Sequence, residues 1–352
     1  MKRFFCFAIL AILTVCSFAS CNKDGTNHNV DTNINNNSQI DERQILNEGK
    51  AGESITWTYF NDNTLVFAGS GTMFEYYDST SYSLSYPSME MPWYEYSKIA
   101  KEIFISDGIT SISNFAFFGT RGITTINLPE SITYIGACAF EYSSIEEITL
   151  PKNLNTIEEY LFYHCHNLKK VTAHDNLQEV KNGAFDDCPN LILTEYDNAY
   201  YWGPQSNPFL ALIKAKSTEI SSCKINDKTK IIYSSAFLNC KSLSRIILHE
   251  NIQYIGKDSF YRSGLTKISI PNKVEYIEYG AFRYCYQLKE VILGKSVNRI
   301  GATAFDGCDA LVDVYVYGDE ENWNNIIFEK SSDGYGHYNY DLINANRHYY
   351  SY

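Results

Sequence analysis

The chain is poor in charge. Only 20% of its 352 residues are Asp, Glu, Lys or Arg, and cations are the scarcer sign, 29 against 41 acids, for a formal net charge of −12. A nucleic-acid binder needs a positive footprint to displace counterions, so that class is excluded. CxxC and HExxH are missing, and so are a GxSxG elbow and a phosphate-cradling glycine loop, Gly69-Ser70-Gly71 being too short for one. The acidic pairs Glu146-Glu147 and Glu158-Glu159 are neighbours in sequence, with nothing to aim them across a cleft. Neither an enzyme nor a cofactor is expected. What the chain has is apolar mass: 45% hydrophobic residues, including 29 Tyr and 20 Phe, which rules out global disorder. Its length fits two compact domains or one elongated array.

The N-terminus reads as an export signal. Lys2 and Arg3 precede an apolar run, Phe4–Phe18, broken only by Thr14 and Ser17, and small residues follow. The run is short of the roughly 20 residues that span a bilayer, and no later segment comes close. Phe18-Ala19-Ser20-Cys21 resembles a bacterial lipoprotein signal, departing from it in Phe18 where Leu is usual. That resemblance implies acylation of Cys21 and an outer-membrane lipid anchor for a Gram-negative surface protein. Lys23-Asp24 resembles the charged cue that sends some of these proteins to the cell exterior. Residues 1–20 are thus the signal peptide and 21–45 a disordered tether, whose stretch Asn22–Gln39 holds seven Asn and no aromatic residue.

The centre is a repeat. Phe117, Phe140, Phe162, Phe185, Phe237, Phe260, Phe282 and Phe305 recur at steps of 23, 22, 23, 52, 23, 22 and 23. A small residue precedes each, except at Leu161. Three positions on stands Cys165, Cys188, Cys240, Cys285 or Cys308, or else Thr120, Ser143 or Ser263. An aliphatic residue and an alternating triplet follow, such as Ile126-Asn127-Leu128 or Ile268-Ser269-Ile270, read as a short strand with one buried face. Proline ends three of these strands, at Pro129, Pro151 and Pro271. The next turn carries Ile135, Ile157, Val180, Ile255, Ile277 or Ile300. Both 22-residue steps follow a Ser in place of Cys, so the turn is one residue tighter there. No coil buries its apolar side alone, and stacked neighbours must share a continuous core.

Ile135-Gly136-Ala137-Cys138-Ala139-Phe140 and Ile300-Gly301-Ala302-Thr303-Ala304-Phe305-Asp306-Gly307-Cys308 resemble the BspA-like leucine-rich repeats of bacterial surface proteins. The resemblance implies an α/β leucine-rich-repeat solenoid, horseshoe-like and mostly short strands and turns. It also implies a role in adhesion, host-protein binding or glycan-rich niches rather than catalysis. The solenoid spans 101–316, with a degenerate coil and insertion at 192–230, where Tyr196, Tyr200, Tyr201 and Trp202 are expected to bulge and Leu212–Ala215 to alternate. A β-hairpin cap is expected over 50–100, from Ile55–Tyr59 and Thr64–Phe67. A C-terminal cap over 317–352 is closed by Trp323, Ile326, Ile327 and Phe328.

Five cysteines at one frame position are expected to form an internal ladder of unpaired thiols; Cys138 and Cys223 lie elsewhere in the frame. His164-Cys165-His166 is the one tempting metal group. Turn neighbours are expected to point apart, and no second cluster stands at metal spacing, so no metal is assigned. The middle residues of the triplets are expected to point outward in a row: Phe104, Asn127, Thr149, Thr172, Ile247, Ser269, Ile292 and Tyr315. Ile247, Ile292 and Tyr315 are apolar where solvent is expected, as on a recognition surface, although single exposed apolar residues are also ordinary. Mixed flanking charges favour an extracellular or host protein as partner of a monomeric chain. A glycan is the alternative, stacking on the edge tyrosines Tyr134, Tyr254, Tyr276, Tyr279 and Tyr284; a structural envelope role without a discrete ligand is the third reading.

Overall fold

A computed structural model describes residues 43–76, 91–330 and 339–351. The signal peptide, Cys21 and the tether up to residue 42 lie outside the described residues. Among those described, no helix is long and apolar enough to cross a membrane.

The N-terminal cap has one strand more than the expected hairpin. Ile55–Phe60 and Thr64–Gly69 pair antiparallel, with Trp57 opposite Phe67, and their alternation buries Ile55, Trp57, Tyr59, Leu65 and Phe67. The added strand, Ile45–Gly52, pairs antiparallel with Ile55–Phe60 and starts where the tether was expected to end. Its polar sequence gives no alternation, because most of its side chains stay exposed and its backbone supplies the pairing. Thr64–Phe67 then pairs in parallel with Glu102–Ile105, which joins the cap to the first coil.

Each coil has three sides, and each side stacks on its neighbours through its own ladder of backbone hydrogen bonds. The front strands are the expected triplets, with Asn346–Tyr350 added at the C-terminal end. They form parallel sets Thr125–Ile126, Glu147–Thr149, Lys170–Thr172; then Ser222–Cys223 with Arg245–Ile246; then Lys267–Ser269, Glu290–Ile292, Asp313–Tyr317 and Asn346–Tyr350. The second ladder lies along what the sequence suggested was only a turn. Tyr134–Ile135, Thr156–Ile157, Glu179–Val180, Tyr254–Ile255, Tyr276–Ile277 and Arg299–Ile300 are two-residue side strands, too short for a period of two to register. Gly136 follows one of them because the coils touch there: a Cβ would stand 2.5 Å from the backbone nitrogen of Asn114.

The third side is the phenylalanine turn. In all eight coils the residues two before and two after the phenylalanine have positive φ, as at Cys138 and Tyr142 around Phe140, or Tyr160 and His164 around Phe162. This backbone sends the N–H groups of alternate residues toward the next coil. Cys138, Phe140 and Tyr142 donate to the carbonyls of Glu159, Leu161 and Tyr163 at 3.0, 3.0 and 2.9 Å. Left-handed backbone costs a non-glycine residue about 1 kcal/mol or more. The ladder hydrogen bonds and the buried ring offset that cost. The rings stack in two files, Phe117, Phe140, Phe162 and Phe185 at 5.6–5.9 Å between centroids, and Phe237, Phe260, Phe282 and Phe305 at 5.1 Å.

The thiols explain the frame's cysteine. Cys165, Cys188, Cys285 and Cys308 each donate from Sγ to the phenylalanine carbonyl of the preceding coil, at 3.0–3.2 Å. A cysteine thus serves as a small apolar filler and a weak donor at once. All seven described cysteines are free. The tighter step after serine is also visible. Leu168 N–H closes a turn on the Cys165 carbonyl at 3.0 Å. After Ser143 and Ser263 that turn is missing, and each hydroxyl lies 3.3 Å from the next coil's thiol.

The insertion corrects the expected bulge. Thr194–Tyr196, Ala199–Trp202 and Ala211–Ala215 form an antiparallel meander whose last strand continues the side ladder, Ala211 opposite Ile231 and Leu212 opposite Ile232. Tyr201 and Trp202 are buried, not protruding. Trp202 lies 4.8 Å from Phe185 and ends the first file of rings, a place for which no further repeat phenylalanine is available. Two core clusters meet here, one running to Tyr233 and one starting at Ala199.

Where the turn ladder starts or stops, a side chain replaces the absent coil. The Trp93 indole N–H donates to the Ala116 carbonyl at 2.8 Å. At the seam the Tyr233 hydroxyl accepts from Phe185 N–H at 2.9 Å. At the C-terminal end Asn339 accepts from Phe305 N–H at 2.8 Å and donates to the Gly301 carbonyl at 3.0 Å. The C-terminal cap buries Trp323 and Ile326 as expected, but Ile327 is exposed. After residues 331–338, which lie outside the described residues, the chain resumes in a short helix, Tyr340–Asn344, and the strand Asn346–Tyr350.

Candidate functional site: the front row and the turn ridge

On the front strands that carry a triplet the flanking aliphatics go inward and the middle residue outward, as Ile246, Ile247 and Leu248 show. Phe104, Asn127, Thr149, Ile247 and Ser269 are exposed, whereas Thr172, Ile292 and Tyr315 are half-buried. Ile247 reaches 65% exposure and Phe104 49%. Cross-coil register places Thr149 beside Thr172, Ser269 beside Ile292, and Ile292 beside Tyr315. The row is not continuous. Between Thr172 and Ser222 the chain leaves the front for the meander, so the eight residues form an N-terminal and a C-terminal group. In the first group Asn127, Thr149 and Thr172 line a shallow depression of about 260 Å³ together with Glu130, Glu147 and Lys170.

One member of the row was not legible in the sequence. His348, on the last front strand, pairs with Tyr315 in register and stacks on its ring at 4.7 Å, while its Nε2 lies 2.8 Å from Asp313. The segment Asn346–Tyr350 lacks the aliphatic–polar–aliphatic triplet, so the repeat pattern does not reveal it. Two ion pairs cross coils near the row: Lys267 with Glu290 at 2.5 Å, and, one residue before the row, Lys169 with Glu146 at 2.6 Å. Glu158 is likewise held by Lys181 at 2.9 Å. At the surface such pairs contribute little stability but fix the pattern of charge a partner meets.

The five edge tyrosines do not form one ridge. Tyr134, Tyr254 and Tyr276 lie on side strands, while Tyr279 and Tyr284 flank Phe282 on the turn side. Tyr254 and Tyr276 are half-buried, and their hydroxyls donate to Glu278 and Glu329 at 3.1 and 2.8 Å. They border an open depression of about 760 Å³ with Gln253, Asn272 and Lys273. Burial raises the Tyr276 and Tyr254 hydroxyl pKa values and also raises that of the Glu278 carboxyl. Tyr284 belongs to a different group: it packs on Tyr261 and Tyr286 at 5.5 and 5.8 Å, with Arg262 and Arg283 over its ring. Tyr261 and Tyr286 are additions, and their signal is aromatic residues one and four positions after the repeat phenylalanine.

The thiols are shielded from chemistry. Burial pushes Cys165, Cys240 and Cys285 up to about 11, and raises Cys188 and Cys308 as well. At neutral pH they carry almost no thiolate.

His164 and His166 contradict the expectation that turn neighbours point apart. His164 Nδ1 and His166 Nε2 both meet Oδ2 of Asp187, the latter at 2.7 Å. Left-handed backbone at His164 (φ 55°) and at Asp187 (φ 53°) makes this convergence possible. Asp187 is the residue one repeat beyond His164, a relation that ligand spacing within one turn cannot reveal.

Three stacked ladders of short strands and turns define a leucine-rich-repeat solenoid. The BspA type leucine rich repeat region, in six copies, matches residues 89–200 and 215–333, and the chain belongs to that family. Among solved structures, a leucine-rich repeat protein from Eubacterium ventriosum is 18% identical, over 77% of this chain and 78% of that one, with a TM-score of 0.43. A leucine rich cell surface protein from Faecalibacterium prausnitzii is 20% identical, over 79% and 97%, at 0.36. A leucine-rich repeat protein from Bacteroides ovatus is 19% identical, over 85% and 98%, at 0.29. No curated protein matches the chain.

Proposed function

We propose that this chain is a non-enzymatic binding protein of the bacterial outer surface, anchored in the outer membrane through acylated Cys21, and that it captures an extracellular or host protein on its front row. The observation that carries this reading is the composition of the row. Ile247 and Phe104 stand out to solvent in a row that also presents Asn127, Thr149, Thr172 and Ser269, with the ion pairs Lys267–Glu290 and Lys169–Glu146 close by. Exposed apolar anchors inside a polar frame are what a protein partner desolvates first. Side chains held by a rigid ladder lose little entropy on binding. The leader and Cys21 supply the route outward, and the Asn-rich tether the distance from the membrane.

A glycan is the second reading, favoured by the Tyr261–Tyr284–Tyr286 group, whose faces suit sugar rings and whose arginines supply donors. The test is a binding screen of the purified chain against extracellular-matrix proteins and a glycan array in parallel. Saturable protein binding that is lost on changing Ile292 and Tyr315 to Ala supports the front row. Sugar binding insensitive to those changes replaces it with the ridge. Silence on both leaves an envelope role and removes the binding claim.

A further inference from the structure

We propose that His164, His166 and Asp187 form a binding site for one divalent transition-metal ion of the zinc class, which ties two consecutive coils together just before the seam and leaves a coordination position open to solvent. Among the described residues this is the one group of three or more potential ligands whose donor atoms converge, all within 4.8 Å of one another. Two imidazole nitrogens and a carboxylate oxygen form the donor set that borderline cations select, whereas calcium and magnesium prefer oxygen alone.

The local backbone pre-forms the site. His164 and Asp187 hold the same left-handed position in successive coils, and the ladder bond from His164 N–H to the Asp186 backbone carbonyl, at 3.1 Å, fixes the step between them. The His164 ring is held against Tyr142 and Tyr163, at 4.6 and 3.9 Å between centroids. Its orientation therefore costs little further entropy on binding.

Both rings now aim a nitrogen at a single oxygen of Asp187. Protons must fill those two contacts, and a metal ion replaces them. In a tetrahedral site with bonds of about 2.0–2.2 Å, ligand atoms stand roughly 3.4 Å apart. The two nitrogen–oxygen contacts must lengthen by up to about 1 Å to reach that spacing, within the swing of the exposed His166 and Asp187 side chains. The fourth position faces water, so the ion is exchangeable and available to a donor group from outside.

The test titrates Zn2+ into the metal-free full chain by calorimetry, with thermal melting alongside. Asn is compatible with left-handed backbone, so His164→Asn and Asp187→Asn remove ligands without straining the turns. His166→Gln is an exposed third variant, and His348→Gln is the control, since that histidine pairs with a single carboxylate. The expected result is one equivalent bound, proton release, a melting temperature raised by Zn2+, and affinity lowered more than about tenfold in each ligand variant but unchanged in the control. Co2+ bound in its place is expected to show ligand-field bands without sulfur-to-cobalt charge transfer, which separates this site from the thiols. No Zn2+ uptake overturns the proposal. So does uptake that survives His166→Gln and Asp187→Asn, or a cobalt spectrum of thiolate type.

Discussion

Tyr233 sits buried at the seam, and its hydroxyl gives a sharp prediction. The side chain is fully enclosed, accepts from Phe185 N–H at 2.9 Å and bonds the Asp186 carboxyl. Tyr233→Phe keeps the ring and removes only that oxygen. Phe185 N–H is left buried without a partner, which costs about 1–3 kcal/mol, and Asp186 loses a donor to a group that burial already disfavours as the anion. Together the loss is about 2–4 kcal/mol. Because the two core clusters meet at this residue, the weakening falls on the coupling between them. Hydrogen exchange at the Phe185 amide is the assay: each 1.4 kcal/mol of lost protection is about tenfold in exchange, so acceleration of roughly 30-fold or more is expected. Melting followed by Trp202, which touches Phe185, is expected to broaden or split. Tyr201→Phe is the control, since its hydroxyl meets Asn226 N–H at 3.4 Å, a long contact whose loss is expected to cost below about 1 kcal/mol. If Phe185 protection changes no more in Tyr233→Phe than in Tyr201→Phe, the account of side-chain caps at ladder ends is wrong.

Further expectations concern the turns, the far cap, the thiols and acid. Thr303 combines φ 57° with a buried hydroxyl lacking a hydrogen-bond partner, so Thr303→Gly is expected to raise stability by about 1 kcal/mol in chemical denaturation. Gly280→Ala is expected to lower it by at least that much, because φ is +62° and the new Cβ would stand 2.1 Å from Asp258 Oδ1. Asn339→Ala removes both hydrogen bonds that close the C-terminal end of the turn ladder, with an expected loss of about 2–4 kcal/mol by denaturant melts. Thiol labelling at neutral pH is expected to be slow in the native chain and to reach the repeat cysteines only on unfolding, given pKa values of about 11 at Cys165, Cys240 and Cys285. Burial raises the Glu278 carboxyl above its unfolded value, so its contribution is full below the unfolded pKa and is lost as pH rises through the folded one. The melting temperature of the wild type is therefore expected to gain on that of Glu278→Gln as pH falls from 7 toward 4, and the opposite trend would reverse the sign assigned here.

The repeat frame and the front strands were legible because phenylalanine, thiol and triplet recur in register, and a ladder repeats whatever local pattern serves one coil. What escaped was of two kinds. The side strands are two residues long, and the strand Ile45–Gly52 is polar, so neither offers a period to read. The other omissions depend on partners far apart in sequence. Tyr233 caps Phe185 across 48 residues, Asn339 caps Phe305 across 34, and Asp187 meets His164 across 23. Trp202 was misplaced for the same reason: a cluster of aromatics outside the frame resembles a protrusion until the missing phenylalanine at the end of the first file becomes visible. The candidate row was placed coil by coil from the triplets. Its interruption at the meander, and its extension to His348, needed the tertiary pairing.

The central functional claim is that the front row, and not the turn ridge, makes the contact with a protein partner. The direct measurement is equilibrium binding of the most strongly captured extracellular-matrix protein to three chains of equal melting temperature: wild type, Ile247→Asp with Phe104→Asp, and Tyr261→Ala with Tyr284→Ala. The account predicts that the two front-row charges weaken binding at least tenfold, about 1.4 kcal/mol or more, while the ridge variant binds as the wild type does. Loss of binding in the ridge variant with the front-row variant unaffected would contradict it.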